Sequence, residues 1–253
     1  MTKITHLSGQ LIAATLLCTT FIAAYAGEFT VKPVRLDVVP SAKSASMSIV
    51  NNGEEKLSFQ LQAMDWTQDK DGKDQYFDSR DLIFFPKLMT IEPGQEALVR
   101  IGFKLPATST EKTYRLFIEE LPGVVKKVEG NNAQLNVLVR FGLPIFAAPI
   151  LPQDGLAIDA VELKSGVLTF IAQNSGNRHQ MFTSIRITGT NATSQPVFGV
   201  DIADRYLLAS SSKPYKTTLS AQQCRELTSV TIDIKTDKFA QSRKLDVKPD
   251  MCL

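Results

Sequence analysis

The chain has 253 residues, 43% of them hydrophobic, and a formal net charge of +2 at pH 7. This length and composition suffice for one large or two ordinary hydrophobic cores, which excludes a protein that is disordered over most of its length. The small net charge gives no reason to expect nucleic acid or an anionic membrane surface as a partner.

The first 26 residues have the pattern of a secretory signal peptide. Lys3 provides a positive charge, the run LIAATLLCTTFIAA is apolar, and Ala24 and Ala26 have the spacing of small residues that signal peptidase requires. A transmembrane helix is the alternative, but the apolar run is shorter than the ~20 residues that a span needs. We therefore expect cleavage before Gly27, export, and no membrane insertion of the mature chain.

Export leaves two cysteines, Cys224 and Cys252, and one histidine, His179, in the mature chain. An even pair of cysteines in an oxidising compartment predicts one disulfide. Two cysteines and one histidine are too few for a structural zinc site or a histidine-rich catalytic cluster. We therefore predict no metal, no other cofactor and no enzymatic activity, and we interpret His179 as a residue that is hydrogen-bonded within a turn.

Strand patterns follow one another along the rest of the chain, separated by turn residues. About seven such runs precede residue 148 and seven follow it, and no segment has a convincing helical pattern. The proline-bearing connector APILPQDG separates the two series. The predicted fold is therefore all-β, with an N-terminal sandwich over residues 27–148 and a C-terminal sandwich over residues 149–253.

The last run of the first series, AQLNVLVRFGLPIF (133–146), is apolar on both faces. Branched and aromatic residues fall on every second position, and Leu138 adds an apolar residue to the other face. A strand of this kind needs a packing partner on each face. The residues alone leave open whether it belongs to the core of the sandwich or contacts a second protein.

Four segments of the chain form a further pattern, and they are KPVRLDVVP, TYRLFIEELPG, NAQLNVLVRFGLPIFAAP and VLTFIAQNSGNRHQMF. Together they resemble the periplasmic pilus assembly chaperones of the chaperone–usher pathway. The form YRLFIEELP is similar to the archaic, Csu-pilus-like branch of this family. The resemblance implies two immunoglobulin-like domains arranged as an L with a cleft between them, and a periplasmic location.

The resemblance also implies a function, which is to bind pilus subunits and deliver them to an outer-membrane usher. Such subunits lack a strand, and the chaperone lends them one of its own by donor-strand complementation. One face of the lent strand is expected to pack on the chaperone's own core and the other on the subunit. Self-association of the free protein through this strand stays open. The side chains expected to enter the subunit are Ala133, Leu135, Val137, Val139 and Phe141.

The family anchors the carboxylate at the C-terminus of the subunit with an Arg of the first strand and a Lys of the donated strand. Arg35 matches the first of these, whereas Gly142 occupies the position of the second. Arg115 and Arg140 are the nearest basic residues that could replace the Lys. The alternative for these arginines is an ion pair within the chain, with Asp37, Glu119 or Glu120.

A secreted structural or adhesive surface protein made of two sandwiches is the second functional hypothesis. A pilus subunit normally carries an N-terminal extension of alternating apolar residues. Here only the short segment beginning GEFTVKP lies between the expected cleavage site and Arg35. This difference favours the chaperone.

Overall fold

A computed structural model describes residues 29–104, 106–123 and 137–253. The expected signal peptide lies outside the described residues, as do Ala133 and Leu135 of the predicted donor strand. None of the helices within these ranges has the length and hydrophobicity of a transmembrane span.

The described part of the N-terminal half forms two sheets that pack on one another. Its strands are β1 (Phe29–Lys32), β2 (Leu36–Val38), β3 (Ser44–Asn51), β4 (Leu57–Gln68), β5 (Asp74–Asp78), β6 (Leu82–Phe85), β7 (Leu88–Ile91), β8 (Glu96–Phe103), β9 (Lys112–Leu121) and β10 (Arg140–Ala147). One sheet has the order β1-β3-β8-β6, and the other has the order β2-β10-β9-β4-β5 with β7 beside β4. Buried side chains of both sheets form one core.

The second half repeats this architecture with its own core. Its strands are β11 (Ala157–Lys164), β12 (Val167–Gln173), β13 (Gln180–Thr190), β14 (Pro196–Ile202), β15 (Tyr206–Leu207), β16 (Ser212–Thr218), β17 (Ser229–Thr236) and β18 (Ala240–Asp246). The sheets have the orders β11-β12-β16 and β14-β13-β17-β18, with β15 beside β13. The prediction of an all-β protein with two sandwiches is confirmed.

Alternation of side chains explains why these segments form strands. In β4, Leu57, Phe59, Leu61 and Ala63 are buried, and the residues between them are half-buried or exposed. Successive side chains of a strand point to opposite faces, so this pattern buries one face and leaves the other nearer the solvent.

Two short helices in the second domain were not predicted. Helix α1 (Ala221–Glu226) begins after Ser220, whose side chain accepts a hydrogen bond from the Gln223 N–H group and completes a capping box. A 3-10 helix (Pro249–Cys252) follows near the end of the chain. The predicted disulfide joins the two helices, because it links Cys224 to Cys252.

The two domains share a small aromatic cluster. Trp66 and Phe146 of the first domain are buried against Tyr206 and Leu208 of the second. The Gln68 side chain crosses the same boundary, since its amide donates to the Tyr206 carbonyl (3.0 Å) and accepts from the Leu208 N–H group (2.9 Å). Polar and apolar contacts therefore both hold the domains together.

His179 belongs to this boundary rather than to a local turn. It is buried, its N–H group donates to the Glu111 carboxylate (2.7 Å), and its Nδ1 atom lies 2.9 Å from the same oxygen. Its ring stacks on Phe146 with 3.6 Å between the centroids. The histidine is hydrogen-bonded as expected, but its partner is a residue of the other domain.

Candidate functional site

One edge of β10 is largely free of pairing with the strands that the structure describes. Strand β9 pairs with β10 along its whole length, whereas β2 pairs only with Ile145–Ala147. The Glu120 N–H group donates to the Val139 carbonyl (3.0 Å), so pairing with β9 continues one residue before β10 begins. From Val139 to Pro144, no described strand lies on the other side. An unpaired edge of this kind can accept an additional strand.

The odd-numbered side chains of this segment form one continuous row. Leu143 and Ile145 are fully buried in the core of the first domain, and Phe141 packs partly against that core. Val139 is 36% exposed and Val137 is 72% exposed. The row therefore begins inside the domain and continues beyond it as an exposed apolar surface.

This row corrects an expectation about the two faces of the strand. The expected donor side chains and the core side chains lie on the same face, because both sets are odd-numbered and side chains alternate along a strand. The other face is apolar for a different reason. Pro144 is buried there, and Phe146 packs against Trp66 and Tyr206 at the domain boundary.

Arg115 reaches the free edge of β10 from the neighbouring strand. It lies opposite Pro144 in the register of β9 and β10, and its Nη1 group donates to the carbonyl of Gly142 (3.1 Å). The Val139 carbonyl points toward β9, and carbonyl directions alternate along a strand, so the Gly142 carbonyl points away from β9. The guanidinium group therefore lies across β10, at its free edge.

Gly142 leaves the space that this path requires. A Cβ atom at Gly142 would lie 3.8 Å from Cδ of Arg115 and 3.2 Å from the ring of Phe117. A longer side chain would therefore compete with Arg115 for the same position. The glycine that departs from the family pattern is the residue over which Arg115 passes.

The surroundings of Arg115 favour an anionic ligand. Its guanidinium carbon lies 3.9 Å from the centroid of the Trp66 ring, which stabilises the cation without neutralising it. Its Nε atom is buried and has no hydrogen-bond partner among the described residues. No ion pair found within the described ranges includes it.

The other two arginines have the ion pairs that were kept as alternatives. The Nε group of Arg35 donates to Asp37 (2.8 Å), and its Nη1 group lies 3.0 Å from the sulfur of Met181 in the second domain. Arg140 lies over the Phe117 ring at 4.1 Å, and its Nε atom is 3.8 Å from Glu119. Of the three candidates, Arg115 alone combines partial burial with a charge that no described carboxylate balances.

A cleft of about 640 Å³ adjoins the free edge of β10. Both domains contribute to its walls. Sequence reasoning had singled out Phe141 but not the other two aromatic residues of the lining, Trp66 and Tyr206, although Trp66 is the only tryptophan of the chain. Residues at the walls include Trp66, Arg115 and Gly142 of the first domain and Arg205, Tyr206 and Lys213 of the second.

Residues 28–152 match the family described as pili and flagellar-assembly chaperone, PapD N-terminal domain. The N-terminal domain belongs to this family of pilus assembly chaperones. The resemblance drawn from the sequence is thereby confirmed. A sequence comparison with curated proteins gives no significant match.

Several solved chaperone structures share the fold. The CsuC–CsuE chaperone–tip adhesion subunit complex from archaic Csu pili of Acinetobacter baumannii aligns with a TM-score of 0.59 at 16% identity, covering 86% of this chain and 98% of that one. The SafB chaperone, bound to the SafA pilin of Salmonella enterica, gives 0.57 at 14% identity, with 89% and 99% covered. The CupB2 chaperone of Pseudomonas aeruginosa gives 0.53 at 14% identity, with 87% and 100% covered.

Proposed function

We propose that the protein is a periplasmic chaperone of the archaic chaperone–usher type that binds pilus subunits by donor-strand complementation. The free edge of β10, with its row of apolar side chains that continues out of the core, is the observation that carries this proposal. A subunit strand would add to that edge through main-chain hydrogen bonds, and the exposed side chains would fill the groove of the subunit.

The apolar row can supply much of the binding free energy. Burial of a Val or Leu side chain contributes about 1.5–3 kcal/mol before the cost of ordering is subtracted. Val137 is largely available for this and Val139 is partly available, and Phe141 continues the row toward the core. We propose that Ala133 and Leu135 extend the row in the other direction.

Arg115 is the proposed anchor for the C-terminal carboxylate of the subunit. It lies at the edge where the subunit strand would end, and it has no carboxylate partner within the described ranges. Arg35 and Arg140 are secondary candidates for this anchor, because each would first have to leave an existing ion pair. A guanidinium group can bind a carboxylate through two parallel hydrogen bonds, which fixes the orientation of the chain end.

The bound subunit would then be passed to an outer-membrane usher, where the segment of another subunit replaces the chaperone's strand. The similar structures support subunits as partners, since CsuC was solved with a tip adhesion subunit and SafB with a pilin. No nucleotide is required, because the contacts of the donated strand supply the free energy for folding the subunit.

The decisive experiment compares two charged substitutions on adjacent residues. Val137→Asp places a charge in the proposed donor row, and Leu138→Asp places the same charge on the other face. Each variant is co-expressed with a pilus subunit, and the subunit that co-purifies from periplasm is quantified. We expect Val137→Asp to lose the subunit and Leu138→Asp to retain most of it, with both chaperones folded by circular dichroism.

Equal retention by the two variants would show that the row does not enter the partner. Failure of the wild-type protein to retain any subunit would favour the structural or adhesive surface protein instead.

A further inference from the structure

We infer that the cleft contains a second carboxylate-binding position, formed by Arg205, which favours subunits with an acidic side chain among their last three residues. This inference rests on the proposed function, because it takes Arg115 as the position of the terminal carboxylate. It adds a source of selectivity among subunits that the donor row does not provide.

Arg205 and Arg115 flank the same aromatic ring. The guanidinium carbon of Arg115 lies 5.9 Å from the centroid of the Tyr206 ring, and that of Arg205 lies 5.5 Å from it. Both distances are measured from the same centroid, so the two guanidinium carbons are no farther apart than the sum of the two distances. One short peptide segment can therefore reach both of them.

The spacing of an extended chain fits this separation. Each residue advances about 3.3 Å, so two side chains on the same face are about 7 Å apart. A terminal carboxylate bound at Arg115 would place an acidic side chain of the last residue, or of the residue two positions earlier, within reach of Arg205. The proposed ligand is therefore a chain end that carries two carboxylates.

The acidic residues of the cleft already have hydrogen-bonding or ion-pair partners within the protein. Asp204 lies 2.7 Å from the Lys213 ammonium group and accepts a hydrogen bond from the Tyr215 hydroxyl (2.7 Å). Burial of Tyr215, together with this contact to Asp204, raises the pKa of the phenol, so the hydroxyl stays protonated and continues to donate. Asp74 accepts hydrogen bonds from Gln68 and Tyr76, both at 3.1 Å.

The basic residues exceed these acids. Lys73, Arg115, Arg205 and Lys213 line the cleft, against Asp74 and Asp204. No ion pair found among the described residues includes the guanidinium group of Arg115 or Arg205. One terminal carboxylate would balance one of these two charges and leave the other without a partner.

Arg205 fits the second carboxylate better than Lys73 does. Its planar guanidinium group can bind a carboxylate through two hydrogen bonds, whereas an ammonium group provides a compact point charge. It also lies beside the ring that Arg115 faces, and Lys73 lies in the turn between β4 and β5.

The only tryptophan provides a direct measurement of binding. Trp66 lines the cleft, and the Arg115 guanidinium lies against its ring, so a ligand at Arg115 should change its fluorescence. The probes are three N-acetylated peptides. One ends in Thr-Val-Thr-Asp with a free carboxylate, one ends in Thr-Val-Thr-Asn with a free carboxylate, and the third is the Asp peptide with an amidated end.

We expect the wild-type protein to bind the free Asp peptide about threefold to fivefold more tightly than the Asn peptide, as for a partly exposed ion pair. Arg205→Ser should remove this difference without changing the affinity for the Asn peptide. Arg243→Ser, which removes an exposed arginine of β18, should preserve the difference. The amidated peptide should bind least, and high salt should shrink the preference for Asp.

Equal affinity of the wild-type protein for the Asp and Asn peptides would overturn the inference, and so would a preference that survives Arg205→Ser. Either result would leave the proposed function in place, because the donor row is tested separately with Val137→Asp. Absence of a saturable signal with every peptide would overturn both the second position and the Arg115 anchor, but not strand donation.

Discussion

Arg115 crosses β10 because Gly142 leaves its path free. Three features then act on one side chain. The Gly142 carbonyl fixes one guanidinium nitrogen, the Trp66 ring supports the planar face, and no carboxylate in the described part of the chain neutralises the charge. A cation held in this way loses little conformational entropy when it binds a carboxylate, which makes it effective as an anchor.

Replacement of Arg115 should therefore weaken subunit binding more than replacement of Arg140 does. A charge-assisted hydrogen bond contributes about 1.5–3 kcal/mol, so we expect Arg115→Ser to weaken subunit binding by at least about tenfold. Arg140→Ser should change it by less than about threefold, because Arg140 is exposed and its ion pair is long. Binding of the purified chaperone to a denatured, refolding pilus subunit provides the measurement, and similar losses in the two variants would contradict this ranking.

The residue types of the site were predictable, but their arrangement was not. Arg115 was a candidate from the sequence because it is one of the basic residues nearest to Gly142, which occupies the position of the family's Lys. Its contacts with Gly142 and Trp66 depend on the register of β9 with both neighbours, which no local pattern specifies. Tyr206 lies in a two-residue strand of the other domain, so its place beside Arg115 follows only from the packing of the domains.

Charged side chains hold the connector between the domains in place. Asp154 accepts a hydrogen bond from Nε of Arg178 (2.8 Å) and from the amide of Gln180 (3.2 Å), and the Lys238 ammonium lies 3.3 Å away. The hydrogen bond from Arg178 is the largest of the effects that lower the pKa of Asp154 to about 2. The connector is thereby attached to β13 and to the turn before β18.

This depressed pKa predicts an acid-dependent contribution to stability. The ionised Asp154 stabilises the folded state above its ordinary pKa of 3.8, and this contribution is lost as the pH falls toward 2. We expect the wild-type protein to be more stable than Asp154→Asn at pH 6 and the difference to shrink between pH 4 and 2. Urea unfolding at several pH values measures this difference in the free energy of unfolding. A difference that stays constant between pH 4 and 2 would contradict the depressed pKa of Asp154.

Long strands were predictable and very short ones were not. Segments such as β4 and β13 contain enough alternating residues to indicate a strand by themselves. Strand β2 has three residues and β15 has two, and each exists because a neighbouring strand supplies its hydrogen bonds. Helix α1 has six residues, which is too short for a helical period to become visible, although its capping box was present in the sequence.

At the scale of the whole molecule, the domain boundary contains a buried polar pair as well as an aromatic cluster. Glu111 precedes β9 in the first domain, and its carboxylate binds the main chain and ring of His179 in the second. Both side chains are almost fully buried. Such a pair is costly to break, because removing one partner leaves the other buried without its hydrogen bonds.

Glu111→Ala should therefore uncouple the two domains. Loss of the buried hydrogen bonds is expected to cost about 2–4 kcal/mol and to separate one thermal transition into two, because the boundary no longer links the two cores. Differential scanning calorimetry provides the measurement, and Glu119→Ala, at an exposed position of β9, is the control. An unchanged profile for Glu111→Ala would show that the aromatic cluster alone couples the domains.

The short strand β2 also limits the length of any strand that is added to the edge of β10. It occupies the edge from Ile145 onward, and Pro144 has no N–H group to offer. An added strand must therefore stop before Ile145, and residues 137–144 give it about eight positions, or about 26 Å, in the described part of the edge. In the proposed complex, the terminus of the added strand would then lie at Arg115, and the number of paired subunit residues would be counted back from that terminus.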